Sequence, residues 1–161
     1  MIRHTAEAIV KSRVRPVLVV TGHESEAVRT ALSGFDMSFH HAPDFADGMS
    51  ASLKAGIAAV PAHCDGALIC LGDMPFVRAG TFDKIADAFA GQAAVFPTYA
   101  GKRGNPVLLS RSLFADIMDL SGDQGARALL GAIPDRVGEV AVEDPGVLRD
   151  LDRPEALGGS Q

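Results

Sequence analysis

The feature that most constrains this chain is a repeated switch of hydrophobic period, from short apolar runs to stretches with helical spacing. Strand-like runs occur over residues 17–20, 38–41, 67–71, 93–97, 107–109 and 137–142. Between them Leu53, Ile57 and Val60, then Phe82, Ile85 and Phe89, then Leu113, Ile117 and Leu120, recur at three- and four-residue spacing. Each triplet puts one apolar stripe on one helix face. Strands alternating with helices predict an α/β fold, with a mostly parallel sheet and helices on both faces. The 161 residues suit one domain over 1–157, followed by a frayed tail at 158–161.

Gly and Pro cluster at 42–48, 72–75, 98–106 and from 158 onward, and three of these loops directly follow a strand. In open α/β sheets ligands bind beyond the carboxyl ends of the strands, so these loops are where chemistry belongs. The balance of charge narrows the ligand. With a net charge of −5 and no Lys/Arg-rich run, the chain has no footprint for nucleic acid. Its longest apolar runs fall far short of the roughly 20 residues that span a bilayer, so no membrane partner is expected. Cys64 and Cys70 lack metal-type spacing and no signal peptide precedes them. They read as reduced structural thiols of a cytoplasmic protein.

The sharpest chemical motif is Leu71-Gly72-Asp73-Met74-Pro75, which delivers a carboxylate directly after an apolar strand. Mg²⁺ is a hard cation held by one or two carboxylates plus substrate phosphates, and Asp73 suits it, although Asp is equally at home in a turn or helix cap. In Asp150-Leu151-Asp152-Arg153-Pro154-Glu155, alternate residues share one face of an extended segment. Asp150 and Asp152 are therefore candidate ligands, with helix capping by Asp152 as the alternative. Asp47-Gly48-Met49-Ser50-Ala51-Ser52 leads into the Leu53 helix, where amides and hydroxyls suit a base, ribose or phosphate, or simply cap the helix. Gly101-Lys102-Arg103-Gly104-Asn105-Pro106 is a basic loop before a strand, for an anionic substrate or an ordinary solvated turn. Gly122-Asp123-Gln124-Gly125-Ala126-Arg127 would cap another helix, with Arg127 a second anion contact. His23 follows the first strand, but Glu24 and Ser25 beside it read as the start of a helix. No histidine is spaced for zinc.

Together these motifs, with Val19-Val20-Thr21-Gly22-His23 and Arg103-Gly104-Asn105-Pro106-Val107, resemble the molybdenum cofactor cytidylyltransferases and the wider molybdopterin nucleotidyltransferase-like group. Six motifs in this order span almost the whole chain. The resemblance implies a Rossmann-like nucleotidyltransferase fold, CTP (or GTP) as donor, molybdopterin as acceptor, Mg²⁺ as cofactor and pyrophosphate as product. Asp73 would be catalytic and hold the metal, with Asp152 as second carboxylate. Gly48, Met49, Ser50, Ser52, Gly72 and Asp73 would face the nucleotide, and Arg103, Gly104 and Asn105 the acceptor. The family also opens with a strand and an L-A-A-G-x-S-x-R-M-G loop that cradles the triphosphate, absent from this sequence, whose Met1-Ile2-Arg3-His4-Thr5 resembles the helix that follows it.

With the first strand missing, strands 17–20 and 67–71 would lose a shared neighbour and leave a slot, or edges open to self-association. Impaired turnover is the matching expectation. Two rival readings remain: a sugar-nucleotide transferase, for which Asp150 and Asp152 resemble paired aspartates, and a non-catalytic pterin- or partner-binding remnant.

Overall fold

The computed structural model describes residues 2–149. The expected tail at 158–161 and the Asp150 and Asp152 pair lie outside the described residues. In chain order the elements are α1 (Ile2–Lys11), β1 (Leu18–Thr21), α2 (Ser25–Ala31), β2 (Ser38–His41), α3 (Met49–Ala59), β3 (Gly66–Ile69) and α4 (Ala79–Asp87). There follow β4 (Ala94–Tyr99), β5 (Lys102–Arg103), β6 (Val107–Ser110), α5 (Phe114–Ile117), α6 (Arg127–Leu130) and β7 (Val137–Ala141).

The strands form two sheets rather than one. β1 and β2 pair in parallel, Leu18 opposite Ser38 and Thr21 opposite His41. The remaining five form a second sheet in which β3 pairs β6, β6 pairs β4, and β4 pairs β5, all antiparallel, while β7 lies parallel to β4. The expectation of a mostly parallel sheet is thereby corrected to a mixed one. One of the reversals is made by a tight turn: Tyr99 pairs Lys102, and the two residues between, Ala100 and Gly101, both have positive φ (53° and 79°). Two successive positive φ values make the turn that joins antiparallel strands with matching twist. Residues 98–106, which read as a loop, therefore contain a hairpin. An Ala-Gly pair is a weaker signal for it than Asn-Gly, because Ala is not favoured at positive φ.

Alternation along the central strands sends side chains to both faces. Ala94 and Phe96 of β4 and Val107 and Leu109 of β6 join Ile57, Leu113, Ile117, Leu120 and Leu130 in one cluster. Val95 and Leu108 point the other way, onto Ile85 of α4. Helices cover both faces, as the periodicity implied. At roughly 1.5–3 kcal/mol for each fully buried large apolar side chain, these two layers hold the five-stranded sheet together.

α1 and β1 set the geometry of the remaining space. Ile2 at the start of α1 lies over Gly72, just beyond β3, and the Thr5 hydroxyl donates to the Gly72 carbonyl at 3.1 Å. α1 thus begins at the carboxyl end of β3 and runs back along it, and β1, which follows α1, returns in the direction of β3. Among the described residues β1 pairs only with β2, and β3 only with β6. A cleft of about 1240 Å³ separates them.

Candidate functional site

The carboxyl ends of β1 and β3 open at one mouth of this cleft, and loops from distant parts of the chain converge there. Met49, Ser52, Gly72, Asn105, Asp123 and Arg127 line it. Four of these, Met49, Ser52, Gly72 and Asn105, are nucleotide- or acceptor-binding candidates from the sequence, so motifs far apart in the chain line one cleft. Met49 is 61% exposed at the first position of α3, an unusual place for a long apolar side chain and one suited to a flat ligand ring.

Gly48 and Ser50 act differently from their neighbours. Gly48 has φ 118°, and a methyl group there would lie 2.3 Å from the Gly122 carbonyl oxygen and 2.7 Å from Oδ1 of Asp123. Both the Ser50 amide (3.1 Å) and its buried hydroxyl (2.8 Å) donate to that same carbonyl. The Gly48 turn is thus a clasp holding the Gly122–Asp123 loop against the start of α3. Ser50 serves the clasp, and through it Asp123 and Arg127 reach the cleft. Asp73 is half-buried one residue beyond Gly72, at the carboxyl end of β3 where the motif placed it.

In the basic loop the three candidates part company. Arg103, exposed, pairs with Glu139 of β7 and stacks its guanidinium 5.0 Å from the centre of the Phe96 ring. Gly104 is buried, and a methyl group on it would lie 2.2 Å from the Val147 carbonyl oxygen. Its amide donates to Pro97 at 2.8 Å, and the Asn105 amide to Val147 at 2.9 Å. Gly104 permits this close approach and Asn105 carries the result to the cleft wall, so an anionic ligand would reach Arg103 only by competing with Glu139.

One buried group escaped the sequence reading. Asp144, 3% exposed, accepts from the Arg78 amide (2.9 Å), the Thr81 hydroxyl (2.7 Å) and the Gly146 amide (2.9 Å). It caps α4 from 66 residues away, a pairing invisible to any local capping pattern. Cys70, at the end of β3 and lining the cleft, has its thiol pushed up to about 12 by burial, which suits the structural role assigned to it.

Comparison with known proteins decides the class. Residues 1–137 match the MobA-like NTP transferase domain. The chain belongs to that family. It is 26% identical over 141 residues to the molybdenum cofactor cytidylyltransferase of Escherichia coli (strain K12), covering 86% of this chain and 70% of that protein. It is 30% identical over 120 residues to the purine catabolism protein PucB of Bacillus subtilis (strain 168), covering 73% of this chain and 58% of that protein. Among solved structures, Rv0371c of Mycobacterium tuberculosis H37Rv in complex with manganese superposes with a TM-score of 0.80 at 26% identity, over 98% of this chain and 84% of that one. This MobA-like chain therefore has the nucleotidyltransferase fold, and its cleft mouth is the candidate active site. Among the described residues no helix is long and apolar enough to cross a membrane.

Proposed function

We propose that this MobA-like chain transfers CMP from CTP to molybdopterin with release of pyrophosphate, as part of molybdenum cofactor maturation. The observation that carries the reading is the convergence of Met49, Ser52, Gly72, Asn105 and Arg127 on one cleft mouth at the strand ends, in a chain related to a molybdenum cofactor cytidylyltransferase. GTP is the alternative donor.

The chemistry asks little of side-chain bases. A terminal phosphate oxygen of the acceptor, already anionic, attacks the α-phosphorus, the new P–O bond forms, and the bond to the bridging oxygen breaks as pyrophosphate leaves. Alignment and charge neutralisation are what remain to be supplied. Ser52 and the first turn of α3 orient the nucleotide, Arg127 meets negative charge, and Asn105 positions the acceptor.

The residues present fit a divalent cation of the Mg²⁺ kind. Among the described residues no three His, Cys, Asp or Glu side chains gather into a cage. Mg²⁺ needs none, since one or two carboxylates and substrate phosphates suffice. Asp73 would be the carboxylate, with Asp152 the second. When bound, the ion supplies neutralisation of phosphate charge. The manganese complex of the mycobacterial relative supports a divalent metal in this fold.

Isothermal titration tests the assignment. CTP should bind the protein in the presence of Mg²⁺ more tightly than GTP, and Asp73→Ala should weaken Mg²⁺-dependent binding by about tenfold or more. Unchanged binding would remove Asp73 from the site. Pyrophosphate release with CTP and a hexose 1-phosphate, but not with CTP and molybdopterin, would replace this reading with the sugar-nucleotide one.

A further inference from the structure

The carboxyl ends of β3, β4 and β7 point the same way, because β3 and β4 each run antiparallel to β6 and β7 lies parallel to β4. The loop after β3 (residues 70–78), the 104–106 turn and the segment after β7 (142–149) therefore share one end of the sheet, the end that carries Asp73. Three contacts fasten them together. Asp144 accepts from both the Arg78 and the Gly146 amides. The Phe76 carbonyl approaches Gly146 so closely that a methyl group there would lie 2.2 Å from its oxygen. The Asn105 amide donates to the Val147 carbonyl at 2.9 Å. The segment that ends at Arg149 is thus fixed both to the Asp73 turn and to the acceptor loop.

This end offers an anion three arginines, with Lys102 out on the exposed hairpin. Arg78 donates to the Glu143 carbonyl at 3.4 Å, and Arg103 is paired with Glu139. Arg149 differs from both. Its guanidinium lies 4.3 Å from the centre of the Phe76 ring, and among the described residues it meets no carboxylate or carbonyl. Phe76 is 41% exposed, so the stacked pair stands at the surface. An aromatic face holds the plane of a guanidinium without consuming its N–H donors. The fork of donors that remains matches two oxygens of one phosphate.

We propose that Arg149, held over Phe76, binds the terminal phosphate of the acceptor. The assignment rests on the phosphate-bearing acceptor of the function proposed above, and supplies the cation that Arg103 cannot be while Glu139 holds it. Two terminal oxygens of the phosphate go to the guanidinium, and the third stays available for attack on the α-phosphorus. The acceptor rather than the nucleotide is the partner, because the segment carrying Arg149 is fastened to Asn105, whereas Arg127 belongs to the loop clasped to α3. Phe76 is a positioning residue.

The test is calorimetric titration of the 161-residue protein with hydroxymethylpterin phosphate, with glucose 1-phosphate, and with CTP and Mg²⁺. Arg149→Ala should weaken binding of the pterin phosphate by about tenfold or more, and by more than Arg103→Ala does, while CTP binding holds. Arg149→Lys keeps the charge but not the fork, and should lose most of the same affinity. Phe76→Leu should also weaken the pterin phosphate, and Phe76→Tyr should restore it. Binding by the parent should weaken as pH falls through about 6, where a phosphate monoester takes up its second proton, and Arg149→Ala should flatten that dependence. Four results would overturn the proposal: no binding of either phosphate monoester by the parent, unchanged binding in Arg149→Ala, an equal loss of CTP binding, or a larger loss from Arg103→Ala. Glucose 1-phosphate binding in place of the pterin phosphate, with the same dependence on Arg149, would uphold the role of Arg149 and replace molybdopterin as the acceptor. Full pterin phosphate binding without Arg149 would do the reverse.

Discussion

At the scale of single residues, the most consequential side chain outside the cleft is Asp144. Its carboxylate is almost fully buried and accepts three hydrogen bonds, two of which satisfy the start of α4. Helix amino termini have unpaired amides, and a buried one needs a partner. Asp144→Ala would leave the Arg78 amide and the Thr81 hydroxyl without that partner, at a cost of about 3 kcal/mol. For a chain of this size the melting temperature should fall by roughly 6–12 °C. Thr81→Val, which leaves Asp144 its other two donors, should cost less than half as much. Equal losses in a denaturant titration of the two variants would mean that the Thr81 bond alone carries the cap. Residue identity also decides how a sequence motif is used. Ser50 and Gly104 belong to patterns shared with a nucleotide-binding family, yet here Ser50 holds a carbonyl and Gly104 makes room for one.

At the scale of elements, the Gly48 clasp joins the start of α3 to the loop that brings Asp123 and Arg127 to the cleft. Gly48→Ala faces two penalties: a φ of 118° that L-residues rarely adopt, and a methyl group 2.3 Å from a backbone carbonyl. Gly34→Ala is the natural control, because Gly34 has φ 93° but nothing within 4 Å of the added methyl. Strain alone costs about 1–3 kcal/mol, so Gly34→Ala should lie in that range and Gly48→Ala above it. Nucleotide binding, followed by titration, should fall only in Gly48→Ala, since only that turn positions the Gly122–Asp123 loop. If both variants lose the same stability and neither loses binding, the clasp has no part in the site. Elements also show where the local reading fell short. The helix stripes at Leu53, Phe82 and Leu113 and the strand over 38–41 were legible, because periodicity is a property of a few neighbouring residues. The hairpin at Ala100 and Gly101 was not, since its direction depends on what β4 and β6 pair with.

At the scale of the whole molecule, the separation of the sheets should divide its stability. β4 and β6 are buried along nearly their whole length between two helix layers. β1 and β2 pair only with each other among the described residues, and β2 has an exposed residue at each end. Amide exchange should therefore proceed by local opening in β1 and β2, at rates at least about tenfold above those of β4 and β6, which need global unfolding. Uniform protection across β1, β2, β3, β4, β6 and β7 would show that the sheets already unfold as one. The sequence by itself determined the alternation of strands and helices, the stripes that became the core, the acidic turn after β3 and the family motifs. These follow from side-chain chemistry at fixed short spacing, which the chain carries wherever it goes. Only the tertiary structure decided that the sheet is mixed, that Arg103 is paired to Glu139, that Asp144 caps α4, and that Met49, Ser52, Gly72 and Asn105 share one cleft. Those depend on which distant segments meet, and that is settled by pairing backbone donors and burying apolar faces over the whole chain at once.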